Sequence, residues 1–296
     1  RDFCLSRGLG DVYKRQIQSS LAIENNTLSL EQVTDVLNGK RVLGPQDDIL
    51  AVKNAFAGYK MLPELDPFSL EDLKKAHGVM MNGLVKGAGE LRTGSVGVIN
   101  EHGKVIHVAP PHGMVKGLME QLFDWLKASK TQMLIRSSIF HYEFEFIHPF
   151  MDGNGRTGRL WQTALLASWK PIFEWIPIES IIKDNQEEYY RAIGLSTSEG
   201  KSNRFILFML GIIKMAVSEL ARDTRNHQSH ISNQIRALMS VIETYPMSAV
   251  ELMEKLGLKS RVTFRKNYIQ PALEAGLIAM TDPDTPTNRN QRYFKV

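Results

Sequence analysis

The sequence predicts a mainly α protein: a helical bundle that carries one β-hairpin, followed by a small winged helix-turn-helix module. Three observations point there. Apolar residues recur at three- and four-residue spacing over most of the chain. One glycine-rich stretch, 86–111, breaks this pattern with two short β-branched runs around a Gly-containing turn. Beyond a polar, aperiodic stretch at 221–230, short helical patterns return and end in two brief strand-like runs.

Length and composition fit this division. A chain of 296 residues favours two domains over one. With 43% apolar and 23% charged residues it has an ordinary globular composition. No apolar run approaches the ~20 residues that span a bilayer, so no membrane partner is expected. Cys4 is the single cysteine, which excludes an intramolecular disulfide and fits a reducing cytoplasm. Residues 1–16 (RDFCLSRGLGDVYKRQ) lack an initiator Met and resemble translated sequencing-adapter read-through, so they are expected to be a foreign segment and do not enter the reading of the fold.

The elements follow in order. Residues 17–24 form a short amphipathic segment ended by Asn25-Asn26. Ser29 and Gln32 make a capping box for a helix to about Asn38, stopped by Gly39. Residues 47–62 read as a helix with Ile49, Val52 and Phe56 on one face. Ser69 caps another to about Val85. The hairpin pairs Val96, Val98 and Ile99 with Val105, Ile106, His107 and Val108 across the 100–103 turn. Residues 114–128 are amphipathic, and 131–147 are apolar on nearly all sides, as in a central buried helix. His141 reads there as a core histidine. Residues 181–193 form a helix with Tyr189 and Tyr190, and 205–220 close the bundle.

The stretch with chemical content is His148-Pro149-Phe150-Met151-Asp152-Gly153-Asn154-Gly155-Arg156-Thr157-Gly158-Arg159. A residue before proline is pushed out of the helical region, so the buried helix should stop at Ile147 and leave His148 at its end. An imidazole there can accept a proton at neutral pH. Asp152 is a carboxylate of the kind that holds Mg²⁺ together with phosphates and water. Gly153 and Gly155 allow positive φ and can turn backbone N–H groups towards one anion. The helix that follows adds its own N-terminal N–H groups. Arg156 and Arg159, three apart, share a helix face suited to phosphate oxygens. No Gly-x-x-x-x-Gly-Lys-(Ser/Thr) loop occurs, so this is a different phosphate cradle.

That run matches in full the signature His-x-Phe-x-(Asp/Glu)-Gly-Asn-Gly-Arg-x-x-Arg, and in it the chain resembles the Fic (Fido) family over roughly residues 17–215. The resemblance implies a Fic helical bundle, 67–220, preceded by N-terminal helices at 17–66. It implies ATP as substrate, Mg²⁺ on Asp152, His148 as base, and Gly153, Asn154, Gly155, Arg156 and Arg159 around the phosphates. AMP would pass to a Ser, Thr or Tyr hydroxyl of a target protein, the chain's own copies included. Tyr189 and Tyr190 would then lie near the adenine. Residues 105–108 would be the flap that aligns the target, and Gly89-Glu90-Leu91-Arg92 resembles the approach to it. Ser20, Glu24 and Asn25 resemble the family's inhibitory motif (Ser/Thr)-x-x-x-Glu-(Gly/Asn). A Glu24 carboxylate beside Arg159 would occupy the guanidinium meant for the γ-phosphate and repel that phosphate.

After the 221–230 linker, residues 231–296 carry nine Lys/Arg against six Asp/Glu, most of the chain's net +4. Arg261, Arg265 and Lys266 fall on the would-be recognition helix, with Arg289 and Arg292 near the wing, which suits DNA phosphates. Small winged helices also serve as docking or dimerisation modules, so a homodimer stays open. Two further readings stay open as well: a Fic enzyme with another nucleotide or with AMP removal as its reaction, and a DNA-binding regulator whose Fic domain is a silenced nucleotide sensor.

Overall fold

The computed structural model describes residues 3–99, 105–229, 233–283, 285, 286, 288 and 290–296, with side chains omitted for 3–11, 98, 99, 105–107 and 223–229. The chain divides into two compact units, one of Val12–Ser218 and one of Arg1–Asp11 with Glu219–Val296; the first and last helices named for the first unit run across this division.

The first unit is built on helices α1 (Phe3–Ile23), α2 (Leu30–Leu37), α3 (Gln46–Lys60) and α4 (Leu70–Met80). Strands β1 (Gly97–Ile99) and β2 (Val105–Val108) follow. Then come α5 (His112–Ala128), α6 (Met133–Ile147), α7 (Asn154–Trp169), α8 (Ile178–Asp184), α9 (Gln186–Glu199) and α10 (Asn203–Ser229). At its centre α6 and α7 run antiparallel, so that His141 meets Gln162 and Glu145 lies over Gly158. Both are buried along most of their length, with Phe140, Phe144, Leu160, Trp161 and Leu165 in the core. That matches the apolar, unsided sequence of α6. The hairpin forms as expected: Gly97 pairs with Val108 and Val98 with His107, antiparallel. Its turn, 100–103, lies outside the described residues.

Local sequence signals hold at several ends. Ser29 and Gln32 form both bonds of the capping box, and Gly39 takes φ 75° just past the helix. Ser69 caps α4 by accepting from Asp72 N–H.

Four expectations give way. Phe56 is 39% exposed; α3 instead turns Ala51, Val52, Ala55, Gly58 and Tyr59 inward. The reason is backbone approach: a Cβ on Gly58 would come 2.7 Å from Met80 Cγ, so the small-residue strip faces α4. The stretch 181–193 is two helices with a break at Asn185. The polar 221–229 is not an irregular linker but the end of α10; His230 lies outside the described residues. Finally, the amphipathic segment expected at 17–24 is the end of a longer helix that starts at Phe3, in which Tyr13 bonds to Tyr59 O and Gln16 to Glu179.

The Glu179 carboxylate accepts from Tyr59 Oη at 2.8 Å, from Thr163 Oγ1 at 3.2 Å and from Gln16 Nε2 at 3.2 Å. Four helices (α1, α3, α7 and α8) thus meet on one fully buried carboxyl. Burial raises its pKa, and the bonds from Tyr59 and Gln16 work against that rise.

The second unit contains α11 (Asn233–Val241), β3 (Met247–Ser248), α12 (Ala249–Lys255), α13 (Arg261–Phe264), α14 (Gln270–Glu274), β4 (Ile278–Met280) and β5 (Arg292–Lys295). The sheet order is β3-β5-β4. Ile235, Leu238, Leu252, Phe264, Ile269 and Ile278 fill its core. Pro271 does not break the helical run 261–274. Proline falls in the first turn of α14, where its missing N–H is tolerated, and a π turn at Arg265–Ile269 precedes it.

Glu179→Ala orphans three buried donors and opens a void, so we expect a loss on the order of 2–4 kcal/mol. Glu179→Gln, which keeps an acceptor, should lose less. Urea unfolding of the two variants beside the wild type measures this.

Candidate active site

α6 ends where Pro149 requires it to end. His148 caps it in the left-handed region (φ 51°), not in the extended conformation usual before proline. That conformation costs about 1–2 kcal/mol, and Arg92 holds it. The Arg92 side chain is 3% exposed and donates from Nε to His148 O at 2.8 Å, with further bonds to Ile147 O, Gly94 O and Pro110 O. Arg92 N–H also donates to Pro149 O. One guanidinium therefore joins the end of α6 to both feet of the hairpin. The sequence placed Arg92 only on the approach to the flap; its role depends on carbonyls 55 and 56 residues away.

His148 Nδ1 faces the backbone carbonyl of Glu145 at 3.3 Å. With Nδ1–H donated there, Nε2 carries the lone pair on the side away from α6.

Gly153 takes φ 78° and caps α7, so the turn expected of it is present. Gly155 is different: it lies inside α7 and needs no positive φ. Space is its reason, because a Cβ would collide with Glu24 Oε1 and come 2.9 Å from Arg159 Nη1. Asn154 turns its side chain inward. Its Oδ1 accepts from Phe150 N–H and its Nδ2 donates to Phe150 O, both at 2.9 Å, so toward an anion it offers only its backbone N–H. Residues 154–156 are the first of α7, and their N–H groups have no acceptor within the helix. His77 supports the loop from α4. It accepts from Gly89 N–H at Nδ1 and donates from Nε2 to Asp152 O at 2.9 Å, with its ring stacked 3.6 Å from Phe150. No motif marks this histidine.

Arg159 is 2% exposed. Its Nη2 donates to Glu24 Oε1 at 2.8 Å and to Ser20 O at 2.9 Å, and its Nε donates to Ser20 Oγ at 3.1 Å. Burial alone would lower its basicity; the neighbouring charge of Glu24 more than offsets this. Asn25 ends α1 in the left-handed region, which Asn tolerates. Ser20, Glu24 and Asn25 thus bring α1 onto α7.

Two cavities flank Glu24. One, of about 180 Å³, is lined by Glu24, Glu145, His148, Arg159, Tyr189 and Tyr190. The other, of about 200 Å³, includes Arg156, Asp152, Asp47 and Asp48. Arg156 and Arg159, expected on one face, therefore open onto different sides of Glu24. Tyr189 is buried and bonded to His141 Nε2 at 3.0 Å, and its ring lies 5.3 Å from that of Tyr190. Asp152 is 61% exposed, accepts from Gly153 N–H and lies 3.5 Å from Arg156. Among the described residues no three His, Cys, Asp or Glu side chains cluster as a metal site. A single carboxylate still fits Mg²⁺, whose shell is commonly finished by phosphates and water. The backbone of β2 is described, but the side chains of Val105, Ile106 and His107 are not; Val108 is exposed.

A buried two-helix core that ends in this histidine turn, with a hairpin fixed beside it, defines a Fic-type domain. The comparisons agree. The "Fic/DOC family" matches residues 67–166, and "Filamentation induced by cAMP protein Fic-like, C-terminal domain" matches 233–294. A Fic family protein from Desulfovibrio desulfuricans G20 is 45% identical, covers 97% of this chain and 87% of its own, and superimposes with a TM-score of 0.71. This chain belongs to the Fic family. Protein adenylyltransferase Fic of Culex quinquefasciatus is 29% identical over 74% of this chain and 45% of its own length. Fic-1 of Caenorhabditis elegans (aa134–508) shares the fold at a TM-score of 0.60 and 23% identity, over 75% of this chain and 68% of its own. The chain spans less than half the length of the curated relatives it matches. Among the described residues no helix is long and apolar enough to cross a membrane.

Burial lowers both His77 and His141 to about 4. An unfolded histidine titrates near 6.5, so between about 6.5 and 4 the unfolded chain binds protons that the folded chain does not. Stability should therefore fall as pH drops through that window. Urea midpoints across the window measure the fall, and His77→Gln should make it shallower by up to one proton.

Proposed function

We propose that this protein transfers AMP from ATP to a Ser, Thr or Tyr hydroxyl of a target protein, its own chain included, and that Glu24 holds it inactive. The observation that carries this reading is the Glu24–Arg159 pair at 2.8 Å, set in the same cavity as His148. Relatives named protein adenylyltransferase support the choice of AMP.

In this reading the target hydroxyl gives its proton to His148 Nε2 while its oxygen attacks the α-phosphorus. The bond from that phosphorus to the bridging oxygen breaks, and pyrophosphate leaves. The N-terminal N–H groups of α7 and Arg156 hold the charge that develops on the phosphates. Arg159 grips the γ-phosphate once Glu24 releases it. Asp152 would hold Mg²⁺, which when bound offsets phosphate charge. Tyr189 and Tyr190 give the base an aromatic wall, and β2 presents the target by strand pairing. Little covalent chemistry is asked of the protein; alignment and charge supply most of the rate.

The test is label transfer from α-labelled ATP with Mg²⁺. Glu24→Gly should label protein at least tenfold faster than the wild type, since one arginine contact to a phosphate is commonly worth that much. Adding His148→Ala should remove the label while ATP still binds. Equal labelling by wild type and Glu24→Gly would remove the lock, and undiminished labelling without His148 would remove the base. No label in any variant would turn attention to another nucleotide, or to AMP removal.

A second reading rests on the second unit, where Arg261, Arg265 and Lys266 are all exposed on one short helical stretch. Arg292 donates to Pro246 O, and Arg289 lies outside the described residues. In this reading the chain binds DNA and its Fic domain is a silenced sensor. A gel shift of the full chain, weakened at least tenfold when all three are changed to Glu, would favour it; a shift equal for both proteins would rule out this helix.

A further inference from the structure

The proposed reaction uses His148 but leaves the carboxyl behind it without a task. Glu145 lies one helical turn earlier on α6 and is 6% exposed. Its Oε2 is 3.8 Å from His148 Nδ1 and its Oε1 is 3.9 Å from His141 Nε2. Among the described residues Oε1 has no hydrogen-bond partner. His141 does not supply one: its Nδ1 is engaged with Gln162 Oε1, which leaves Nε2 to accept from Tyr189 Oη. A buried polar oxygen without a partner is costly. The room for the carboxyl comes from α7, where a Cβ on Gly158 would lie 2.8 Å from Oε1. The same Cβ would also crowd the Phe144 ring, at 3.1 Å.

Burial pushes Glu145 up to about 8; Arg159 works against the rise and Glu24 adds to it. Tyr189 and Tyr190 also feel the Glu145 charge, and His141 is held neutral by burial. At 3.8 Å the Glu145 carboxyl and the His148 ring are close enough for the charge of one to bear on the proton of the other. With a proton on Glu145, His148 is a free base. With one on His148 instead, a carboxylate faces an imidazolium and the base is blocked.

We propose that Glu145 is a positioning residue for His148: standing behind the Nδ1 edge, its carboxyl sets how readily the imidazole accepts the target's proton at Nε2. The hydroxyl proton passes to Nε2 and from there to solvent. The direction of catalysis rests on the AMP-transfer reading; the coupling between the two side chains does not.

The experiment has two arms, both on the full chain. In the first, the His148 ring is titrated by NMR without nucleotide, its signal identified by its loss in His148→Ala. Glu145→Gln keeps shape and polarity but cannot ionise, so the ring's midpoint should fall by about half a pH unit or more and the titration should become a single step. In the second, the rate of label transfer from α-labelled ATP is followed against pH in the Glu24→Gly background. The acid limb should move down by a similar amount, with the KM for ATP within about threefold, since base strength and nucleotide binding are separate terms. Superimposable ring titrations in wild type and Glu145→Gln would overturn the proposal. Should Glu145→Gln fail to fold, Glu145→Met, of similar volume, carries the same titration. If no variant transfers label, the AMP reading fails while the ring titration still decides the role of Glu145.

Discussion

A guanidinium buried at the contact of two helices sets the conditions for the first unit. Arg159 lies inside the protein, 2% exposed, and a cation there must be matched or it destabilises the fold. α7 cannot match it alone, because its own backbone carbonyls are engaged in the helix. The match comes from α1: Ser20 with its hydroxyl and carbonyl, Glu24 with its carboxylate. α1 must therefore arrive at one height and one rotation. Glu179 enforces that placement one layer further in, where Gln16, Tyr59 and Thr163 converge on it. The two centres share one logic, in which a buried charge or polar group recruits partners from distant segments and so fixes how those segments pack.

The junction of α6 and α7 follows a different logic. Here the backbone itself is shaped, and side chains serve as its clamps. Arg92 collects carbonyls from the end of α6 and the feet of the hairpin. His77 bridges Gly89 and Asp152. Asn154 closes the loop onto Phe150. Each replaces water that a loop's polar backbone would otherwise need. The result is a left-handed His148 with Nδ1 turned to the Glu145 carbonyl, beside the N-terminal N–H groups of α7. A strained conformation of this kind persists only where its surroundings over-determine it.

The second unit depends on neither centre. Its core of Ile235, Leu238, Leu252, Phe264 and Ile278 closes under a three-stranded sheet. Its polar residues serve ends rather than middles: Ser248 and Glu251 form a capping box, and Ser260 caps α13.

What the sequence determined by itself was local. The capping box of α2, the stop of α6 before Pro149, the unsided burial of α6, the hairpin and the twelve-residue signature were all legible, because each depends on neighbours within a few positions. The tertiary structure decided whatever depends on distant partners. Gly155 is required by the space that Glu24 and Arg159 occupy, not by its own φ. Phe56 faces outward because Gly58 lets α4 come close. Asn154, grouped by its motif with the phosphates, spends its side chain on Phe150. Arg92, His77 and Glu145 carry no motif that marks them. Their roles come from carbonyls, rings and a missing Cβ that the fold brings to them, and no spacing along the chain encodes such a meeting.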